Sequence, residues 1–224
     1  MNPIIVALDF PTLEEADRMA GALREHVGGY KVGMELLMGE GPQAVTTIAR
    51  HGVPVFVDAK LHDIPNTVAA AAGRIRAAGA RWVTVHSGGG REMIEAANKG
   101  MEGQGVLVVT VLTSLSDSDL AGLGISVTIA EQVEAMSLLA AVAAAEGVVC
   151  SPAEISRVKR AEPGLKVFTP GVRLRESTPD DQKRTATPEE AVLNGADHLV
   201  IGRPITRADD PVETARKIAA SIAS

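Results

Sequence analysis

The reactive side chains of this chain are concentrated in one stretch, Asp58-Ala59-Lys60-Leu61-His62-Asp63-Ile64. It follows the apolar run Val53-Pro54-Val55-Phe56-Val57, which reads as a buried β-strand. Side chains two apart on a strand share a face, so Asp58 and Lys60 point the same way, and Asp63 follows in the turn. Two carboxylates bracketing an ammonium at a strand end read as chemistry, because burying such charges for stability alone is unfavourable. The alternative is a surface ion pair on a loop, worth little. A second constellation suits an anion. Gly202-Arg203 follows the apolar run Leu199-Val200-Ile201, and Pro170-Gly171-Val172-Arg173 offers another arginine. The planar guanidinium fork makes two bonds to a phosphate at once. The alternative there is an ordinary exposed loop with solvated arginines.

His62 and His86 raise the question of a metal, but no His-x-x-x-His or clustered Cys/His spacing supports zinc. Magnesium would favour carboxylates such as Asp9 and Asp58. Lys31 lies between them in chain order and opposes a divalent ion, so no metal is expected.

The elements that must position these groups alternate along the chain. Strands are expected at residues 3–8, 29–33, 54–58, 82–86, 106–112, 147–150, 166–169 and 198–201. Amphipathic helices are expected at 13–26, 35–51, 68–78, 90–101, 130–145, 188–194 and 211–223. Strands each followed by a helix give a parallel sheet with right-handed crossovers, and eight of them fit a compact α/β (β/α)8 barrel. One domain over residues 1–224 is expected. An open doubly wound sheet is the second choice, but it would usually carry a Gly-rich turn after strand one, where this chain has Asp9-Phe10-Pro11-Thr12.

On a barrel the strand C-termini converge on one mouth. Strand one then supplies Asp9, strand two Lys31, and strand three Asp58 and Lys60. Strand four reaches His86, strand five Thr113, strand seven Thr169 to Arg173, and strand eight Gly202 and Arg203. Residues 175–185 are long for a strand-to-helix connection and read as a mobile lid.

Bulk properties narrow the partners. The net charge of −6 and the absence of a basic stripe argue against nucleic acid, though not against a small anionic substrate met by local Lys and Arg. No apolar run approaches the ~20 residues of a membrane span, and the N-terminus lacks a signal-peptide pattern. The single Cys150 cannot form an intramolecular disulfide and reads as a small buried hydrophobe. A cytoplasmic protein is expected. Aromatic residues are only 2% of the chain, so the core must rest on Ala, Val, Leu and Ile.

The chain resembles the orotidine 5′-monophosphate decarboxylase family along its whole length. The likeness is carried by Ile5-Val6-Ala7-Leu8-Asp9, Tyr30-Lys31-Val32-Gly33, residues 58–67, Thr110-Val111-Leu112-Thr113-Ser114, Thr169-Pro170-Gly171-Val172-Arg173 and Val200-Ile201-Gly202-Arg203-Pro204. The Asp-x-Lys-x-x-Asp core is shared with other phosphate-binding barrels, while His62-Asp63-Ile64-Pro65-Asn66-Thr67 is more specific. The resemblance implies decarboxylation of orotidine 5′-monophosphate to uridine 5′-monophosphate without a cofactor. It implies a catalytic set of Lys60, Asp58, Asp63 and Lys31: Lys60 gives the proton at C6, Asp58 sits near the departing carboxylate, Lys31 helps hold the network and a ribose hydroxyl, and Asp9 binds the ribose. Thr113 would read the pyrimidine edge, and Arg173, Gln182, Gly202 and Arg203 would grip the phosphate. Asp63, Ile64 and Thr67 would reach into the neighbouring subunit's site, making a homodimer the active unit. Ala59 stands where the family usually has a larger aliphatic residue.

The main alternative is a magnesium-dependent sugar-phosphate decarboxylase or aldolase on the same barrel. Those enzymes resemble the chain at Asp9, Asp58, Lys60 and Asp63 but carry an acidic residue where this chain has Lys31. A Schiff-base aldolase using Lys60 is a third reading, opposed by the adjacent carboxylates, which favour a charged and poorly nucleophilic amine. An inert barrel that only binds a phosphorylated ligand is a fourth, opposed by the intact Asp58/Lys60/Asp63 set.

Overall fold

The computed structural model describes residues 2–174 and 185–223. Among them, eight parallel strands close on one another in chain order. They are β1 (Ile4–Ala7), β2 (Gly29–Val32), β3 (Val55–Leu61), β4 (Trp82–His86), β5 (Gly105–Val109), β6 (Gly147–Val149), β7 (Lys166–Thr169) and β8 (His198–Ile201). β8 returns to β1 through Ile4↔Leu199 and Ile5↔Val200, which rules out an open sheet. Helices on the outside connect the strands, so the expected (β/α)8 barrel is the observed one.

The period-two alternation of the strands builds two cores. Ile4, Val6, Val55, Val57, Val106, Val108 and Val167 face outward and pack with helix residues such as Ala16, Ala20 and Ile94. Their neighbours Ile5, Ala7, Phe56, Leu107, Phe168 and Val200 face inward with Trp82 and fill the barrel. The chain's single Trp and two of its three Phe are thus used inside the barrel, where Phe168 meets Phe56 and Trp82 edge to face. Large rings suit this central space, and the small outward residues let the helices lie close to the sheet.

Three expectations need correction. The helix expected over 35–51 is two helices, Met34–Glu40 and Pro42–Ala49, broken at Gly41 with φ 63 and ψ −154. That backbone region is open essentially to glycine alone, and Pro42 then starts the second helix. Strand five ends at Val109 rather than 112, so residues 110–112 belong to the mouth. Strand three runs beyond 58 to Leu61, with a change of register: Val57 pairs with Val83 but Leu61 pairs with Val85. Between these pairs, three residues on β3 (58–60) therefore face one on β4 (Thr84), and within this bulge Lys60 has a left-handed backbone, φ 47. Helices at Asp117–Gly122, Ile155–Ala161 and Arg203–Thr206 were not expected; two have six residues or fewer, too short to show a period.

Candidate active site

Continuing the inward face of each strand upward gives the site. Ala7 leads to Asp9, Phe56 to Asp58 and then Lys60, and Trp82 to Thr84 and then His86, while Lys31 stands on the inward face of β2. The charged groups meet directly. Lys60 Nζ donates to Asp58 Oδ2 at 2.7 Å, and Lys31 Nζ donates to Asp9 Oδ1 at 2.9 Å. Lys31 Nζ also lies 3.8 Å from Asp58 Oδ2, which links the two pairs into one row of alternating charge. Lys31 is buried, so its ammonium depends on these carboxylates to offset lost hydration.

Burial alone pushes the Asp58 carboxyl up. The charges of Lys31 and Lys60, with hydrogen bonds from Lys60 and Thr84, outweigh it and hold the group below the usual carboxylate range. Asp58 is therefore an anion at neutral pH. His86 moves downward through burial and the neighbouring His62 and Lys60, against the pull of Asp58, so it is a neutral ring beside the network. Gly33 explains its own presence: a Cβ there would stand 2.3 Å from Asp9 Oδ1 and 2.8 Å from Lys31 Nζ.

These groups form one wall of a cavity of about 540 Å³, large enough for a nucleotide-sized ligand. Asp9, Lys31, Asp58 and Lys60 line it. Thr113, Arg173, Gly202 and Arg203 line it as well, so these sequence candidates share one space. Arg203 opens the short helix after β8, the place where barrels commonly hold phosphate.

Asp63, Ile64 and Thr67 do not line the cavity of their own chain. The bracketing of Lys60 by two carboxylates is therefore corrected within the chain: Asp63 makes no ion pair with Lys60 among the described residues, and its Oδ1 accepts the Ile64 N–H at 2.7 Å. The turn after β3 directs the carboxylate outward, and Ile64 beside it is 67% exposed. Gln182, and residues 175–184 of the expected lid, lie outside the described residues.

Sequence reasoning missed several groups here. Thr84 is buried and its Oγ1 donates to Asp58 Oδ1 at 3.0 Å. Its signal was its place two residues before His86 on the same face of β4. Thr206 and Arg207 also line the cavity, one helical turn beyond Gly202 and Arg203. Cys150, expected as a buried small residue, is buried and forms part of the cavity wall.

Among the described residues, no group of three or more His, Cys, Asp or Glu is arranged to hold a metal ion. Between Asp9 and Asp58 lies the Lys31 ammonium, which repels a cation from the pair. No helix among the described residues is long and apolar enough to cross a membrane.

Comparison with known proteins adds to this geometry. The model of the orotidine 5′-phosphate decarboxylase / HUMPS family matches residues 2–218. Orotidine 5′-phosphate decarboxylase of Anaeromyxobacter dehalogenans is 49% identical over 221 residues, covering 98% of this chain and 97% of the relative. That of Saccharophagus degradans is 44% identical, covering 98% and 94%. The crystal structure of orotidine 5′-phosphate decarboxylase from Lactobacillus acidophilus superimposes with a TM-score of 0.89 at 34% identity, over 100% of both chains.

Proposed function

Since this chain belongs to the orotidine 5′-phosphate decarboxylase / HUMPS family, we propose that it converts orotidine 5′-monophosphate to uridine 5′-monophosphate and carbon dioxide, a step of pyrimidine biosynthesis. The observation that carries this reading is the Asp9–Lys31–Asp58–Lys60 row on the wall of the cavity that Arg173 and Arg203 also line.

Loss of carbon dioxide from C6 of the pyrimidine leaves an electron pair in the ring plane, where the π system stabilises it poorly. A cation held at that carbon does two things: it stabilises the developing charge, and it supplies the proton that replaces the carboxylate. Lys60 takes both roles. Asp58 faces the departing carboxylate and fixes the Lys60 ammonium, while Lys31 and Asp9 bind the ribose. Thr113 reads the pyrimidine edge. Arg173, Gln182, the Gly202 backbone and Arg203 hold the phosphate, and binding energy from that remote group organises the reacting end. Removing the phosphate therefore lowers the chemical rate as well as affinity.

The active unit is a homodimer with shared sites, in which the partner subunit's Asp63, Ile64 and Thr67 complete the row. Their exposure and their absence from their own chain's cavity support this. With the partner's Asp63 added, Lys31, Asp58, Lys60 and Asp63 form an electrically neutral set. The reaction needs no cofactor.

The test follows the loss of orotidine monophosphate's ultraviolet absorbance with purified protein, with and without excess EDTA. Conversion to uridine monophosphate that is insensitive to EDTA is expected. No conversion, together with magnesium-dependent turnover of a sugar phosphate, would overturn the reading and the weight given to Lys31.

A further inference from the structure

The bulge in β3 leaves three residues of one strand against one of the other between paired positions, and a backbone so displaced loses its regular ladder partners. Lys60 lies in that segment at φ 47, a conformation that residues other than glycine seldom keep without outside support. Thr84, fully buried in the middle of β4, supplies it. Its Oγ1 accepts the Lys60 backbone N–H at 2.9 Å and donates its own proton to Asp58 Oδ1 at 3.0 Å. The other oxygen of that carboxylate, Oδ2, accepts from Lys60 Nζ at 2.7 Å. One hydroxyl thus closes a ring that ties the Lys60 backbone to its own ammonium by way of Asp58.

We propose that Thr84 is a positioning residue for the reaction, holding the left-handed Lys60 backbone and fixing the plane of the Asp58 carboxylate so that the ammonium is presented to the cavity. The inference rests on the decarboxylase reading and deepens it. The position needs a group that accepts and donates at once, which a hydroxyl does. Valine has the same shape and does neither, leaving the Lys60 N–H and one Asp58 oxygen without partners. Serine does both. Lys31 still faces Asp58 from β2 and His86 stands above Thr84 on β4, so the surrounding charges are unchanged by either substitution.

Steady-state kinetics on orotidine monophosphate, with uridine monophosphate affinity measured alongside, tests this on wild type, Thr84→Val and Thr84→Ser. For Thr84→Val, kcat is expected to fall about 10- to 100-fold, while KM and product affinity move less than about threefold. Thr84→Ser is expected to regain most of the lost kcat. Undiminished kcat in folded Thr84→Val, or an equal loss in both variants, would overturn the positioning role while the decarboxylase reading stands. An inactive wild type would overturn both. Should Thr84→Val fail to fold, amide hydrogen exchange of wild-type Lys60 decides: protection like that of neighbouring ladder amides supports the clamp, and exchange at the rate of an exposed loop overturns it.

Discussion

Asp58 gives one oxygen to Thr84 and the other to Lys60, with Lys31 3.8 Å away, so its charge is committed before a substrate arrives. Because Lys31 remains to balance it, Lys60→Ala should fold normally while turnover falls at least about 10³-fold, the combined scale of a lost proton donor and a lost charge. Turnover near wild type in the purified variant would remove Lys60 from the proton-donor role. Gly33→Ala tests the adjoining pair. The new methyl must displace Asp9 or Lys31, so KM should rise about tenfold or more with little change in melting temperature. An unaltered KM would show that the ribose is held elsewhere. Asp9, Lys31 and Asp58 were legible because strand alternation carries them to one face; Lys60 reaches the same cavity, but through the bulge rather than by regular alternation. Asp63 was only half legible: nearness in sequence does not fix which way a turn aims a side chain. Thr84 was missed because a hydroxyl inside an apolar strand has no charge to mark it.

At the level of elements, strand identity followed from apolar runs, and the errors fell where the backbone leaves its regular path. The break at Gly41 is one such place, since the apolar pattern continues across it and only the Gly41-Pro42 pair betrays the turn. Gly41→Ala forces a side chain into a region reserved for glycine and should cost about 1–3 kcal/mol of stability. Denaturant unfolding measures this; kcat should stay at its wild-type value, because the break lies outside the cavity wall. The β3 bulge is the other place. A single sequence gives the residues of two neighbouring strands but not a mismatch between them, so the left-handed turn at Lys60 was invisible until β4 was paired.

For the whole molecule, the closed barrel joins a mouth that carries chemistry to a floor that carries stability. At the floor, His198 stacks on Phe168 with ring centroids 4.3 Å apart, and burial, with smaller contributions from Lys166 and Arg81, pushes its imidazole down to about 4 against Asp197 and Glu146. The unfolded chain takes up this proton near pH 6.5 and the folded one only near 4, so between them the unfolded state holds more protons. This contribution is complete above about pH 6.5 and is lost as pH falls toward 4, amounting to about 2 kcal/mol between pH 7 and pH 5. Guanidinium unfolding at both values should show the loss in wild type and a smaller one in His198→Gln; equal losses would exclude His198 as the source. The proposed shared site has its own test at this scale. Equimolar mixing and refolding of inactive Lys60→Ala and Asp63→Ala chains should restore about a quarter of wild-type activity, because half the dimers are mixed and each holds one intact site. No restoration would confine the site to one chain. The barrel was legible because eight strand and helix repeats leave few topologies, whereas the dimer rests on exposed residues that no single chain explains.

Among the described residues, Phe56, Trp82 and Phe168 fill the barrel beneath the site, so packed side chains stand at the inner end of the cavity. In the proposed reaction, carbon dioxide is born at this inner end, and the nucleotide occupies the entrance. If gas and nucleotide leave through the same mouth, a firmer hold on the phosphate keeps the gas longer within reach of the carbon it left. Recombination then competes with departure, and delivery of the Lys60 proton to C6 is the event that makes the step one-way.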